Sequence, residues 1–185
     1  MARTPSNMQA LGTEAPGFIL LNTIDSQWYS FQELKGDKGT LVVFICNHCP
    51  FVHHVIDKLV AIADEFQPQG IATIAISSND VANYPDDSPE LMTEFAQKHR
   101  FDFPYLYDET QEAAMAYDAA CTPDIYLFDG EDQLVYRGQM DDSRPGNGIP
   151  VTGTDLKNAI TALLEGLDIN PNQKPSMGCN IKWKS

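Results

Sequence analysis

One segment constrains this chain more than any other: residues 41–50, which read LVVFICNHCP. Its five leading apolar residues, most of them β-branched or aromatic, predict a buried strand. Cys46 and Cys49 follow with two residues between them, and Pro50 suits the first turn of a helix, which apolar residues continue at helical spacing. A helix N-terminus stabilises a thiolate through its free N–H groups and its macrodipole. A strand, a C-x-x-C pair and a helix in this order therefore predict thiol chemistry.

Composition narrows the class of protein. The 185 residues fit one domain, and the net charge of −14, from 12 Lys+Arg against 26 Asp+Glu, argues against nucleic acid or an anionic membrane as a partner. No apolar run approaches the length of a membrane span, and residues 1–17 contain no apolar stretch of a secretory signal, so we expect a cytoplasmic protein. Four cysteines in such a chain are expected to be catalytic, metal-binding or buried.

The hydrophobic pattern predicts strands and helices on both sides of this segment. Strands are predicted at 18–21, 27–30, 71–76, 104–107, 125–128 and 134–136, and helices at 31–34, 50–66, 89–99, 111–117 and 154–164. Thr152 or Thr154 is expected to cap the last helix. We expect a flexible arm at 1–10, one domain at 11–165 and an irregular tail at 166–185 packed on that domain. This order predicts an α/β fold with three layers and a mixed sheet.

Several motifs carry a family resemblance. The stretches LGTEAPGFIL at 11–20, FQELKG at 31–36 and LVVF at 41–44 resemble the opening of the redoxin proteins, which include the AhpC/TSA family, or peroxiredoxins. The segment CTPDIYLFD at 121–129 is similar to the one in which that fold carries a cis-proline facing the redox cysteines. NHCPFV at 47–52 and GCNIKW at 178–183 resemble a less characterised, peroxiredoxin-like branch. The resemblance implies a thioredoxin-like three-layer sandwich with a central mixed β-sheet and an N-terminal β-hairpin extension.

The motif departs from that of true peroxiredoxins. Their motif has a proline seven residues and a Thr or Ser three residues before the peroxidatic cysteine. Counted back from Cys49 these positions are Val42 and Cys46, and counted back from Cys46 they are Gly39 and Val43. Neither cysteine has the residues that position a peroxide, so disulfide exchange is favoured over peroxide reduction.

The C-x-x-C pair supplies the candidate catalytic residues. One thiolate attacks a disulfide and the other resolves the mixed disulfide. By similarity to thioredoxins and glutaredoxins, the spacing from Phe44 and the following Pro50 favour Cys49 as the nucleophile and Cys46 as its partner, with the reverse order still open. An imidazolium at His48 would stabilise the thiolate. The alternative is an exposed loop histidine.

The candidate substrate-binding residues are Thr122, Pro123 and Pro50. A residue before proline is restricted to extended backbone. If the Thr122–Pro123 bond is cis, as the resemblance implies, the backbone of Thr122 can pair with an incoming substrate chain beside the thiols. Cys121, next to them, is interpreted as a small buried hydrophobe, with a third redox thiol as the alternative.

Four further residues are possible accessories or ligands. Cys179 would resolve a Cys49 sulfenate or regulate the pair if the tail packs near the helix, and otherwise belongs to an inert docked tail. Peroxiredoxins use an arginine against the thiolate, so Arg137 and Arg144 are candidates for that role, although a surface salt bridge is the favoured interpretation of both. His53 with Cys46 and Cys49 could hold Zn²⁺ or Cu⁺, but we expect His53 and its neighbour His54 to be solvated, and no metal.

The sequence as a whole predicts a thiol–disulfide oxidoreductase that needs no organic cofactor. Its substrate would be a protein or small-molecule disulfide, and a thiol reductant would restore it. A thiol peroxidase that reduces hydroperoxides as an antioxidant is one alternative. A metal-binding or partner-binding redox module is the other. No feature of the sequence predicts an oligomeric state.

Overall fold

The computed structural model describes residues 3–185, in which the strands form two sheets. The strands are β1 (Arg3–Pro5), β2 (Ile19–Asn22), β3 (Gln27–Ser30), β4 (Gly39–Phe44), β5 (Ile71–Ser77), β6 (Tyr105–Tyr107), β7 (Cys121–Thr122), β8 (Asp124–Asp129), β9 (Leu134–Arg137) and β10 (Met177–Asn180). The helices are α1 (Phe31–Leu34), α2 (Pro50–Phe66), α3 (Pro89–Lys98), α4 (Glu112–Ala116) and α5 (Thr154–Glu165), with short 3₁₀ turns at Gln67–Gln69 and Pro85–Asp87. The larger sheet has the order β3-β2-β6-β5-β4-β8-β9.

Strand β4 lies at the centre of the fold because both of its faces are covered. It pairs in parallel with β5 and antiparallel with β8, and all six of its residues are buried. Leu41 and Val43 pack in one core cluster with α2, α3 and α5. Val42 and Phe44 pack in a second cluster with α1 and α4. Alternate side chains therefore enter two different cores, which explains the unbroken apolar run.

The predicted fold class is confirmed. Helices cover both faces of a sheet in which β4, β5 and β6 are parallel and the remaining pairs are antiparallel. Strands β2 and β3 form the predicted N-terminal hairpin, which joins the sheet through β6. Within residues 3–185, no helix has both the length and the apolar character needed to cross a lipid bilayer.

The second sheet was not predicted, and it corrects two expectations. It has the order β1-β10-β7, in which β10 pairs antiparallel with both neighbours. The predicted flexible arm contains a strand at Arg3–Pro5, and the predicted irregular tail, although irregular at 167–176, contains a strand at Met177–Asn180. These segments are far apart in sequence, so no local pattern indicates that they pair. Residues 1 and 2 of the predicted arm lie outside the described residues.

The start of α5 also differs from the prediction. Neither Thr152 nor Thr154 is the N-cap residue, which is Gly153 in a left-handed conformation with φ 69°. The Asp141 carboxylate accepts the N–H groups of Thr152 and Gly153 at 2.8 and 2.7 Å. Within the first turn, the N–H groups of Asp155 and Leu156 donate to the carbonyl oxygen of Met140 at 3.1 and 3.2 Å, and Oγ1 of Thr152 accepts only the N–H of Thr154, at 3.3 Å.

Candidate active site

The C-x-x-C segment connects β4 to α2, as the sequence predicts. Cys49 is the N-cap residue of α2, with extended backbone (φ −77°, ψ 123°), and Pro50 begins the helix. Cys46 and Cys49 are 1% and 0% exposed. The side chain of Cys49 therefore lies at the helix N-terminus, where free N–H groups point, and the N–H of Val52 helps to lower its pKa.

Three other groups approach the sulfur of Cys49. Cys46, three residues earlier, is the group with the largest effect on its pKa. Cys179 on β10 brings its Sγ to 2.7 Å, and the carbonyl oxygen of Thr122 lies 3.3 Å away. The Sγ of Cys46 is itself 3.5 Å from Oγ1 of Thr122. The structure thus brings three of the four cysteines together around the residue before Pro123.

The pKa values of these thiols diverge. The hydrogen bond from Cys46, helped by Cys179, Thr122 and the Val52 N–H, lowers the pKa of Cys49 to about 5 against the opposing effect of burial. The hydrogen bond to Cys49, together with burial, raises the pKa of Cys46 well above its ordinary value. Burial and then the contact with Cys49 raise the pKa of Cys179 to about 12. Of the three thiols, Cys49 is therefore the one that loses its proton most readily.

A buried carboxylate holds the loop between the two cysteines. Asp87, which is 0% exposed, accepts the main-chain N–H of Asn47 and the side-chain amide of Asn79, each at 2.8 Å. The hydroxyl of Tyr105 donates to Oδ1 of Asn47 at 2.8 Å. None of these residues was predicted. The signal that points to Asp87 is its position in the loop after β5, because the loops that follow parallel neighbouring strands lie side by side.

His48 is in a different environment from the one predicted. The groups that lower the pKa of Cys49 do not include it. Its Nδ1 lies 2.7 Å from Oδ2 of Asp87, at ion-pair distance but without the angle of a hydrogen bond, and its ring stacks on Tyr84 with a centroid separation of 6.0 Å. The imidazole is only partly exposed, so the alternative of an exposed loop histidine is wrong.

The cluster of Cys46, Cys49 and His53, weighed as an alternative metal site, is not formed. Nε2 of His53 lies 2.6 Å from the carbonyl oxygen of Asn47. The set that the described residues bring within 4.8 Å of one another is instead Cys46, His48 and Asp87. Both carboxylate oxygens of Asp87 already accept hydrogen bonds, so a cation would compete with the contacts that hold the loop.

His54 and Cys121 have their own partners away from the thiolate. Nε2 of His54 lies 2.6 Å from Oγ of Ser143, so His54 is not simply solvated. Cys121 is 0% exposed, its Sγ is 3.6 Å from the carbonyl oxygen of Pro123, and burial raises its pKa. This environment agrees with the interpretation of Cys121 as a small buried hydrophobe.

The edge expected to receive a substrate chain is occupied by the protein itself. The Thr122–Pro123 bond is cis, as the resemblance implies. Thr122, the residue before the proline, pairs with Cys179 of β10. A Cβ added at Gly178 would lie 1.9 Å from the carbonyl oxygen of Thr122, so only glycine allows this close approach.

The two candidate arginines do not contact the thiolate. Arg137 is fully buried, with Nη1 3.0 Å from Oδ1 of Asp124 and its guanidinium 3.8 Å from the centre of the Tyr126 ring. Arg144 donates to Gln139 and to the carbonyl oxygens of Asp141 and Ser143. The alternative of an arginine against the thiolate is therefore wrong for both. The favoured interpretation, a surface salt bridge, is wrong for Arg137, whose ion pair with Asp124 is buried.

Two solved structures resemble the whole chain. An uncharacterized conserved protein from Geobacillus kaustophilus is 55% identical with a TM-score of 0.97, covering 100% of this chain and 97% of its own. A hypothetical protein from Sinorhizobium meliloti 1021 is 44% identical with a TM-score of 0.96, covering 98% and 99%. The thioredoxin domain of a thiol-disulfide oxidoreductase from Bacteroides vulgatus is 18% identical with a TM-score of 0.60, covering 70% and 89%, and shows the shared fold. No curated protein matches the chain.

The family assignment comes from the sequence itself. The AhpC/TSA family model matches residues 11–137, a range that contains the C-x-x-C pair and the Thr122–Pro123 segment. That match supports a thiol redox function in general. This chain belongs to the AhpC/TSA family.

Proposed function

We propose that the protein is a thiol–disulfide oxidoreductase in which Cys49 is the nucleophile and Cys46 its resolving partner. The observation that carries this proposal is the position of Cys49 at the start of α2, where the neighbouring Cys46 thiol lowers its pKa to about 5. A thiolate at neutral pH is the form that attacks a disulfide.

The reaction follows from the two thiols alone. The Cys49 thiolate attacks one sulfur of the substrate disulfide, a mixed disulfide forms and one substrate thiolate leaves. Cys46 then loses its proton and attacks Sγ of Cys49, which releases the second substrate thiolate and leaves a Cys46–Cys49 disulfide. The Cys49 thiolate and the Cys46 thiol are oxidised together and the substrate disulfide is reduced; the proton of Cys46 passes to one released thiolate, and the other takes a proton from solvent. An external thiol returns the protein to the dithiol form.

The high pKa of Cys46 fits the order of these steps. It is raised mainly by the hydrogen bond to the Cys49 thiolate. Once Cys49 is part of a mixed disulfide, that negative charge is gone, so Cys46 becomes easier to deprotonate at the moment when it must attack. The substrate thiolate released in the first step then accepts the proton of Cys46.

Membership of the AhpC/TSA family and the Thr122 side chain, which helps to lower the pKa of Cys49, favour a thiol peroxidase as the second candidate. In that reaction Cys49 would attack a hydroperoxide and become a sulfenate. Arg137 and Arg144 are bonded elsewhere, and Cys46 occupies the position of the peroxiredoxin hydroxyl. These features favour disulfide exchange.

The test compares the consumption of oxidised glutathione with that of hydrogen peroxide, with dithiothreitol as reductant. We expect faster turnover of the disulfide, and a loss of about 100-fold or more in Cys49→Ser. Cys121→Ser is the matched control, a buried cysteine whose loss should leave the rate unchanged. A Cys49→Ser variant that keeps the wild-type rate contradicts the assignment. Rapid peroxide consumption with a Cys49 sulfenate, without disulfide turnover, would establish the second candidate instead.

A further inference from the structure

Strand β10 lies where an extended substrate chain would be expected. It pairs antiparallel with β7, and Cys179 is directly opposite Thr122. In this register the Sγ atoms of Cys179 and Cys49 are 2.7 Å apart. The strand thus presents a thiol to the nucleophile at the same main-chain edge that a substrate polypeptide would use.

Contacts on both sides of Cys179 hold β10 in place. Before it, the Ser176 hydroxyl donates to the carbonyl oxygen of Pro123 at 2.6 Å. After it, the N–H of Lys182 donates to Oδ1 of Asn79 at 2.9 Å, and Ile181 is buried in the core cluster that contains α1 and α4. The outer edge of β10 pairs with β1. The fold therefore fixes the position of Cys179 opposite Thr122.

We propose that Cys179 is a third redox-active thiol, which forms a disulfide with Cys49 from the position of a substrate strand at Thr122. This inference rests on the proposed function, because it requires Cys49 to be the attacking thiolate. It gives Cys49 two internal partners, one from the loop before α2 and one from the C-terminal strand.

The chemistry balances with a small disulfide as the oxidant. The Cys49 thiolate attacks oxidised glutathione and releases one glutathione thiolate. Cys179 gives up its proton to that thiolate and attacks Sγ of Cys49, which releases the second glutathione. One protein disulfide replaces one substrate disulfide. Cys46 can later attack Sγ of Cys49, which frees Cys179 as a thiol and forms the Cys46–Cys49 bond without any net oxidation.

The experiment separates the two internal partners. Each fully reduced variant is treated with oxidised glutathione, quenched by acid and alkylation, and its disulfides are mapped by mass spectrometry. In Cys46→Ser we expect an intramolecular Cys49–Cys179 bond and no glutathione retained on Cys49. In the double variant Cys46→Ser/Cys179→Ser we expect the mixed disulfide on Cys49 to survive about 100-fold longer, because its intramolecular competitor is gone.

The outcomes distinguish this inference from the proposed function. If Cys46→Ser accumulates a lasting Cys49–glutathione adduct with Cys179 reduced, the role of Cys179 is overturned while the proposed function stands. If Cys179→Ser fails to form a Cys46–Cys49 bond, the proposed function fails independently. Cys121→Ser should form both bonds. Cys46→Ala and Cys179→Ala repeat the test without the added hydroxyl, and circular dichroism checks that each variant is folded.

Discussion

The two regions that bring a thiol to Cys49 are constructed differently. Cys46 lies three residues before it, on a loop held by side chains, chiefly the buried carboxylate of Asp87. Cys179 lies 130 residues after it and is held by main-chain pairing to Thr122. The position of Cys46 thus depends on a few individual side chains, whereas the position of Cys179 depends on how closely two backbones fit together. Each partner of Cys49 can therefore be removed by a substitution that leaves the other in place.

The largest effect is expected on the Cys46 side. Asp87→Asn places an amide where a carboxylate now accepts two N–H groups and faces His48. Because the amide has one acceptor oxygen instead of two, one of the two buried donors is left without an acceptor and faces the new NH₂ group, so we expect the free energy of unfolding to fall by about 3 kcal/mol. Urea denaturation of the reduced protein measures the loss. The Cys49–Cys179 bond should still form in this variant.

The neighbouring Asp86 provides the matched control. Its side chain is exposed, and only its carbonyl oxygen contacts the loop, where it accepts from the side chain of Asn47 at 3.1 Å. We expect Asp86→Asn to change stability by less than about 0.5 kcal/mol. Equal losses in the two variants would show that Asp87 acts only through the net charge of its loop.

The next effect is expected on the Cys179 side. In Gly178→Ala the new Cβ would meet the carbonyl oxygen of Thr122 at 1.9 Å, so β10 must move away from β7. Overpacking of this kind costs about 2 kcal/mol. We expect slower formation of the Cys49–Cys179 bond and an unchanged Cys46–Cys49 bond, both measured by disulfide mapping during oxidation.

Gly17→Ala is the control for this change. A Cβ there meets no heavy atom within 4 Å, and its backbone is not left-handed. We expect no change in either disulfide. If Gly178→Ala forms the Cys49–Cys179 bond at the wild-type rate, the pairing of β10 with Thr122 does not position Cys179.

The difference between a local loop and a strand from a distant part of the chain also explains which features could be predicted from sequence. The strand, the C-x-x-C pair and the helix are adjacent in the chain, so periodicity, Pro50 and the cysteine spacing together indicate both the local fold and the candidate nucleophile. Most other strands and helices lie within two residues of their predicted bounds for the same reason. The family resemblance supplied what local patterns lack, the expected approach of Thr122 and Pro123 to the thiols.

Features that depend on distant partners were missed. The pairing of β1 with β10 joins the two ends of the chain, and both segments are too short and too polar to read as strands. Arg137 was expected at the surface or beside the thiolate because an arginine is seldom buried without a partner. Its partner, Asp124, becomes visible only when β8 and β9 pair. Asp87 was missed because the main-chain donor that it fixes, Asn47, comes from a different loop, far away in the sequence.

The smallest effect is expected on the pKa of Cys49. It shows whether Cys46 or Cys179 stabilises the Cys49 thiolate more strongly. Because the pKa values of Cys46, Cys121 and Cys179 are raised, Cys49 alone should account for thiolate absorbance at 240 nm near neutral pH. We expect this absorbance to fall with a midpoint near pH 5 on acidification, along with the rate of disulfide exchange, since a lowered pKa keeps the thiolate down to that pH. Removing a neighbouring thiol should raise the pKa of Cys49 toward the ordinary cysteine value of about 8.5. Each unit of that change corresponds to about 1.4 kcal/mol of lost thiolate stabilisation. Cys46→Ala should raise the pKa of Cys49 more than Cys179→Ala, because the hydrogen bond from Cys46 contributes most to the lowered pKa. The reverse order would make the strand, rather than the loop, the main activator of Cys49.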